Sequence, residues 1–255
     1  MKQYTARILS NKQVAASMFV IDLQCDIDPA KPGQFITVRV ASSVVPLLRR
    51  PFALSRIDRE RRSVSFIYQV RGAGTELLST YGCGVEVDII GPLGKPFPLP
   101  AREHFSLLVA GGIGLGPVLF LEEMLRGKGY ESALVFGCRS TSYIPGSLFE
   151  SRSVTVCTDD GSSGFSGNVV TYLESIADGL PETTRIYCCG PEPMLKGCHD
   201  FALRYNFPCH VSVEQVMACG VGACMGCAVR LADGTSYARA CREGPVFDSK
   251  DLAWD

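Results

Sequence analysis

Four cysteines near the C-terminal end constrain this chain more than any other feature. The segment Cys219-Gly-Val-Gly-Ala-Cys224-Met-Gly-Cys227 is followed 14 positions later by Cys241. The pattern is C-x4-C-x2-C with a distant fourth cysteine, a spacing that suits a 2Fe-2S cluster. Two irons bridged by sulfides need four converging thiolates. A short loop can supply three of them only if its backbone wraps tightly, and the glycines and alanine between the cysteines permit that wrapping. A structural zinc site is the competing explanation. Zinc usually takes two closely spaced cysteine pairs, and only Cys224/Cys227 has that form here. Spacing and glycine content favour the cluster.

Composition narrows the setting. Twelve cysteines in 255 residues is high for a reduced protein but too sparse for a disulfide scaffold. The N-terminal MKQYTARILS has no apolar core, so no export signal is expected and the chain is expected in a reducing cytoplasm. The longest apolar stretch, 107–121, is broken by four glycines and Pro117 and is too short to span a bilayer. A net charge of -1 offers no general attraction for nucleic acid or anionic lipid. The remaining cysteines (Cys25, Cys83, Cys138, Cys157, Cys188, Cys189, Cys198 and Cys209) are scattered and read as small buried hydrophobes.

The chain changes texture twice. Residues 18–23, 35–40, 63–70 and 85–90 are short, β-branched and partly alternating. Turn signals such as Asp28-Pro29, Pro32-Gly33 and Gly72-Ala73-Gly74 separate them, which predicts an antiparallel barrel or sandwich with at most a short helix at 75–80. From about residue 101, strands at 106–110, 133–137, 154–158 and 185–189 alternate with helices at 117–126, 168–177 and 192–205. That order predicts a parallel α/β sheet, with 210–214 as its closing strand. Residues 215–255 are too few and too glycine-rich to bury much core and need a staple. The expected domains are therefore a β-barrel at 1–100, an α/β domain at 101–214 and a cluster domain at 215–255.

Two further motifs carry chemistry. Arg49-Arg50-Pro51-Phe52-Ala53-Leu54-Ser55, with Arg71-Gly72-Ala73-Gly74-Thr75 beyond it, could hold a diphosphate and line a flat ring, Gly74 and Thr75 offering amides and a hydroxyl. Each half is equally readable as an ordinary strand or turn. Ala110-Gly111-Gly112-Ile113-Gly114-Leu115-Gly116-Pro117 joins an apolar strand to a helix, the position of a nucleotide phosphate loop. Loops 158–162 and Cys189-Gly190-Pro191-Glu192-Pro193-Met194 follow later strands on the same side, where ligands of such sheets bind. His104, His199 and His210 show no metal spacing, and Asp159-Asp160 reads as a solvated loop.

Taken in order, R-P-x-x, G-x-G-T, A-G-G-I-G-x-G-P and C-G-P-x-P-M resemble the ferredoxin–NADP reductase superfamily. The C-terminal cysteine motif and Cys241-Arg-Glu-Gly-Pro-Val-Phe247 narrow the resemblance to the electron-transfer subunits of class 1B, NAD-dependent dihydroorotate dehydrogenases. It implies one FAD, one 2Fe-2S cluster and NAD as electron acceptor. By position it implies that Arg50, Pro51, Phe52, Ala53, Ile67, Tyr68, Gln69, Gly74 and Thr75 hold FAD. The cluster ligands would be Cys219, Cys224, Cys227 and Cys241. Gly112, Gly114, Gly116, Cys189, Gly190 and Pro191 would face NAD. Family members often carry Ser where this chain has Ala53; Ser55 lies two residues on, on the same side of a strand. The resemblance further implies an FMN-containing catalytic partner, a two-plus-two heterotetramer and a place in pyrimidine biosynthesis. No base suited to dihydroorotate oxidation is apparent in this chain, so no catalytic residue is assigned.

Two alternatives stay open on residues alone. One is an electron-transfer subunit of another oxidoreductase, such as a hydrogenase or a glutamate-synthase-like enzyme. The other is a nucleotide-binding module with structural zinc. Arg139, after the second α/β strand, could read a 2′-phosphate and favour NADP, whereas the resemblance says NAD.

Overall fold

Alternation of side chains on short strands builds the first half of the molecule. The computed structural model describes residues 1–27, 29–41 and 43–254, so Asp28 of the expected Asp28-Pro29 turn lies outside the described residues. Strands β1 (Lys2–Ala15), β2 (Met18–Gln24), β3 (Phe35–Arg39), β4 (Arg50–Asp58), β5 (Ser63–Gln69) and β6 (Glu86–Leu93) close into an antiparallel barrel of order β1-β2-β5-β4-β3-β6. Ile8, Ile21, Leu23, Ile36, Val38, Leu54, Phe66 and Ile89 point inward and are fully buried or nearly so. Phe52 stacks on Phe66 at 4.4 Å between ring centroids, with Tyr68 close by. Each such aromatic contributes about 1.5–3 kcal/mol by burial. Helix α1 (Ala73–Ser79) covers one end of the barrel through Leu78.

The second half is a sheet with both faces covered. Strand β7 (Ser106–Gly111) is buried at every position, as expected for a central parallel strand. Helix α2 (Leu115–Gly127) follows it, so the apolar run 107–121 is a strand, a tight turn and a helix. Among the described residues no helix is long and apolar enough to cross a membrane. Then come β8 (Ser132–Cys138), β9 (Val154–Thr158), β10 (Phe165–Ser166), α3 (Val169–Ile176), β11 (Arg185–Cys189), α4 (Glu192–Arg204) and β12 (Cys209–Ser212). Helix α3 starts on Asn168, whose side chain accepts from the Thr171 amide.

The C-terminal segment holds the small hairpin β13 (Ala228–Arg230) and β14 (Tyr237–Arg239), then β15 (Val246–Asp248). Strand β15 pairs antiparallel with β12 and forms the edge of the seven-stranded sheet β10-β9-β8-β7-β11-β12-β15. The sheet is therefore closed by β15 and not by 210–214 as expected. A three-residue strand carries too little pattern to be read from sequence. The tail is pinned further by Trp254, whose indole N–H donates to the Ser249 carbonyl at 2.7 Å and whose ring stacks on His199 of α4.

Five of the eight scattered cysteines are buried as expected, and Cys138 and Cys189 are partly buried. Cys83 departs from the expectation and is exposed, because it sits in the turn that precedes β6.

Candidate functional site

The cysteine loop is built around its own amides. Gly220 and Gly222 take φ of 68° and 85°, conformations that turn the backbone inward around Cys219. The amides of Val221 and Ala223 then donate to Cys219 Sγ at 3.4 and 3.3 Å. Gly226 N–H donates to Cys224 Sγ at 3.4 Å, and Cys241 N–H to Cys227 Sγ at 3.5 Å. The four thiols form two associated pairs. Cys219 and Cys224 lie towards solvent, whereas Cys227 and Cys241 are buried in the core shared with the sheet. Among the described residues no three potential ligands are drawn together as for a single ion. Sulfurs held as two pairs, each already met by N–H donors, fit a binuclear cluster whose negative sulfurs need such donors.

Electrostatics separate the two pairs. Burial opposes ionisation of Cys219, but the Val221, Cys224 and Ala223 amides and the Cys224 thiol overcome it and hold its pKa at about 6. Burial pushes Cys241 up to about 12, and the adjacent Cys227 thiol adds to the effect. In chain stripped of metal, Cys219 is thus a thiolate at neutral pH and is protonated only as the pH falls below about 6. Peptide mass spectrometry after brief alkylation at neutral pH should show Cys219 labelled at least about tenfold faster than Cys241. Equal labelling would contradict the amide cradle.

A clamp that the sequence did not disclose fixes this loop from outside. Arg239 donates to the Gly222 carbonyl at 2.7 Å and forms a two-point pair with Glu243, at 2.9 and 2.6 Å. The guanidinium holds the Glu243 carboxyl at about 2, below its usual range. The pair is therefore intact throughout neutral pH and is lost only as the pH falls towards 2. At i,i+4 spacing such a pair looks like an ordinary solvated contact. Its link to the Gly222 carbonyl is what ties it to the cysteine loop. Arg239→Met should speed loss of iron to a chelator by about tenfold, the usual scale for residues that support ligand loops.

The second motif assembles on the barrel's outer face. The Arg50 guanidinium lies over Gly74, where an added Cβ would stand 2.5 Å from Arg50 Nε. Residues far apart in sequence thus make one positively charged corner at the start of α1. The Thr75 hydroxyl is turned inward: it accepts from Arg71 N–H at 2.9 Å and donates to the Gly72 carbonyl at 3.0 Å. The expected free hydroxyl is consumed in shaping the turn, and first-turn amides remain as donors. Phe52 and Tyr68 point into the barrel core, Tyr68 donating to Asn11 Oδ1 at 2.9 Å. Their aromatic faces are therefore turned away from the barrel's outer surface, which is left with their backbone. Pro51, Ala53 and Ser55 alternate with the inward side chains, and Ile67 belongs to the core shared with β7 and α2. Gln69 donates to Ser17 at 3.1 Å at the barrel's edge.

The third motif meets the second. Around Gly116, an added Cβ would lie 3.7–3.8 Å from Ser55, the Ala53 carbonyl and Ile67, so the Gly-rich loop abuts β4 and β5. On its other side, Gly114 packs against the Cys189 carbonyl and Gly190. Gly112, Gly114, Gly116, Cys189 and Gly190 thus form one edge at the carboxyl ends of β7 and β11. Pro191 caps α4 beside them, in contact range of Gly111. Arg139, the candidate 2′-phosphate reader, lies over the Tyr143 ring at 5.9 Å.

The cysteine loop also touches the barrel. Gly220 packs on Thr37 of β3, the strand paired with β4 through Thr37 and Pro51. All three motifs therefore surround one region where barrel, sheet and cysteine loop meet.

Comparisons with known proteins agree with this geometry. The family model described as "Iron-sulfur cluster binding domain of dihydroorotate dehydrogenase B" matches residues 214–253. The chain is 36% identical over 262 residues to a protein of Lysinibacillus sphaericus named "Dihydroorotate dehydrogenase B (NAD(+)), electron transfer subunit", covering 99% of each chain. It is 36% identical over 261 residues to a protein of the same name from Desulforamulus reducens, covering 100% of this chain and 99% of the relative. Among solved structures it superposes at TM-score 0.87 on a chain of an NADH-dependent reduced ferredoxin-NADP oxidoreductase. That match has 26% identity and covers 98% of this chain and 90% of the other. The fold is also that of phthalate dioxygenase reductase, with TM-score 0.67, 20% identity and 90% and 87% coverage.

Proposed function

The chain belongs to the family of dihydroorotate dehydrogenase B (NAD(+)) electron transfer subunits, and from that premise we propose how its residues divide the work. It is an oxidoreductase subunit that passes electrons from dihydroorotate oxidation, carried out in a catalytic partner subunit, to NAD+ in pyrimidine biosynthesis. Its cofactors are FAD and a 2Fe-2S cluster, with NAD as acceptor. A nicotinamide takes electron pairs and an iron–sulfur cluster single electrons, and flavin chemistry joins the two.

The observation that carries this reading is the convergence just described: β4 and β5 against the Gly-rich loop on one side, β3 against the cysteine loop on the other. Arg50 and the Gly74 amide would hold the flavin diphosphate, the guanidinium supplying the neutralising charge. The backbone of β4 at 51–53 and of β5 at 67–69 would hold its ring, and Ser55 would offer the hydroxyl that Ala53 lacks. Gly112, Gly114 and Gly116, with Cys189-Gly190-Pro191, would hold the nucleotide at the edge that meets β4 and β5. Cys219, Cys224, Cys227 and Cys241 hold the cluster. The division into barrel (1–100), α/β domain (101–214) and cluster segment (215–255) is part of the proposal, with β15 returning from the last into the sheet of the second. So are an FMN-bearing partner in a two-plus-two assembly and a cytoplasmic location.

The test is reconstitution. Purified chain combined with the FMN-containing catalytic subunit should reduce NAD+ with dihydroorotate, and faster than NADP+. A pair that holds all its cofactors yet reduces neither nucleotide would refute the assignment.

A further inference from the structure

Thr37 is a buried hydroxyl with no partner, set between the flavin barrel and the cysteine loop. Its neighbours Ile36 and Val38 face into the barrel and are fully buried, so Thr37 faces outward. Phe35, on the same face two residues earlier, packs in the core that contains Cys227 and Cys241. Thr37 itself is 2% exposed. Its Oγ1 is buried and makes no hydrogen bond. Its methyl rests on Gly220, where an added Cβ would stand 2.7 Å from Cγ2. Gly220 directly follows Cys219, whose sulfur is already met by two amides.

Valine would fill this place with the same shape and no unpaired group. A buried hydroxyl left without a partner is disfavoured, so its presence here calls for an acceptor that completes the site. Thiolates and bridging sulfides of a cluster are such acceptors, and they bear negative charge. We infer that the Thr37 hydroxyl donates a hydrogen bond to a sulfur of the bound cluster on its Cys219 side, so that the flavin barrel itself helps set the cluster's potential. This rests on the cluster assignment proposed above. Such a donor differs from the loop amides in origin. It comes from β3, whose partner strand β4 lines the flavin, so the two redox sites share one rigid support.

A donor to sulfur stabilises the reduced, more negative cluster and raises its potential. Redox titration of the cluster-loaded chain, followed by electron paramagnetic resonance of the reduced state, reads this directly. Thr37→Val should lower the midpoint by about a tenfold change in the reduced-to-oxidised ratio, 59 mV for one electron. Thr37→Ser should titrate like the parent, with equal iron content in all three proteins. The unmutated chain transferred to D2O should lose a proton coupling, beyond those of the amides, that is also missing in Thr37→Val. An unchanged midpoint in Thr37→Val, a Thr37→Ser shift as large as that of valine, or no such coupling overturns the inference. A chain that binds zinc and no iron would overturn the cluster assignment, and this inference with it; iron bound at an unchanged potential defeats the inference alone.

Discussion

Replacing any one of Cys219, Cys224, Cys227 or Cys241 by serine is expected to reduce bound iron and acid-labile sulfide to about a tenth of the parent or less, because hydroxyl oxygen is a poor substitute for thiolate in a four-thiolate site. The four variants should not be equivalent in stability. Cys227 and Cys241 are 2% and 3% exposed and belong to the core shared with β11, β12 and α4. A serine hydroxyl left unpaired there costs about 1–3 kcal/mol beyond the loss of the cluster. Cys219 and Cys224 lie towards solvent, so their variants should lose iron with a smaller drop in Tm. Two controls separate ligand loss from general damage. Cys25→Ser alters a buried thiol remote from the loop, and Cys83→Ser alters an exposed one. Both should keep their iron. Iron analysis beside thermal melting checks the whole set, and normal iron in any of the four ligand variants would refute the site.

The proposed ligand set could be read in the sequence because it rests on residue type and spacing alone. The clamp that supports it could not. Arg239 and Glu243 gain their role from the Gly222 carbonyl, a contact 17 positions away that no local pattern encodes. Thr37 was hidden for the same reason: in β3 it is an ordinary β-branched strand residue until the fold sets Gly220 against it.

The barrel shows a similar division. Strands β2, β3, β5 and β6 were visible through β-branched and aromatic runs. Strand β1 (Lys2–Ala15) was missed, since its sequence KQYTARILSNKQVA is polar at most positions and buries chiefly Ala6 and Ile8. Strand β4 was read as a ligand motif because Arg50-Pro51 opens it, an arginine beside a proline-fixed extended segment that could hold a diphosphate. The structure shows the strand, Arg50–Asp58; the ligand role remains the proposal made above. Which residues of β4 and β5 face a ligand is a question of register, where a shift of one residue inverts every side chain. Position alone grouped Phe52 with Ala53 and Tyr68 with Ile67. The pleat separates them, sending Phe52 and Tyr68 into the barrel and Ala53 and Ile67 to its outer face, where Ile67 packs in the core shared with β7 and α2.

Close approach of two loops gives the nucleotide edge its most sensitive position. Gly114 lies so near the Cys189 carbonyl and the Gly190 amide that a Cβ there would overlap backbone on the neighbouring loop. Backbone cannot swing aside as a side chain can, so Gly114→Ala must push the β7–α2 turn away from the β11–α4 loop. Gly127→Ala, at the far end of α2, is the matched comparison, because its added methyl would meet nothing within 4 Å. The first substitution is expected to lower kcat/KM for NAD+ by about 100-fold, since a displacement near 1 Å in a positioning element costs on that order. The second adds a good helix former in open space and should leave kcat/KM for NAD+ at the parent's value. Iron content should match the parent in both, because the cysteine loop leans on β3 and not on this edge. Steady-state kinetics of the reconstituted complex, with iron measured on the same preparations, distinguishes the two. Equal activity of Gly114→Ala and Gly127→Ala would mean that the two loops do not act together on the nucleotide.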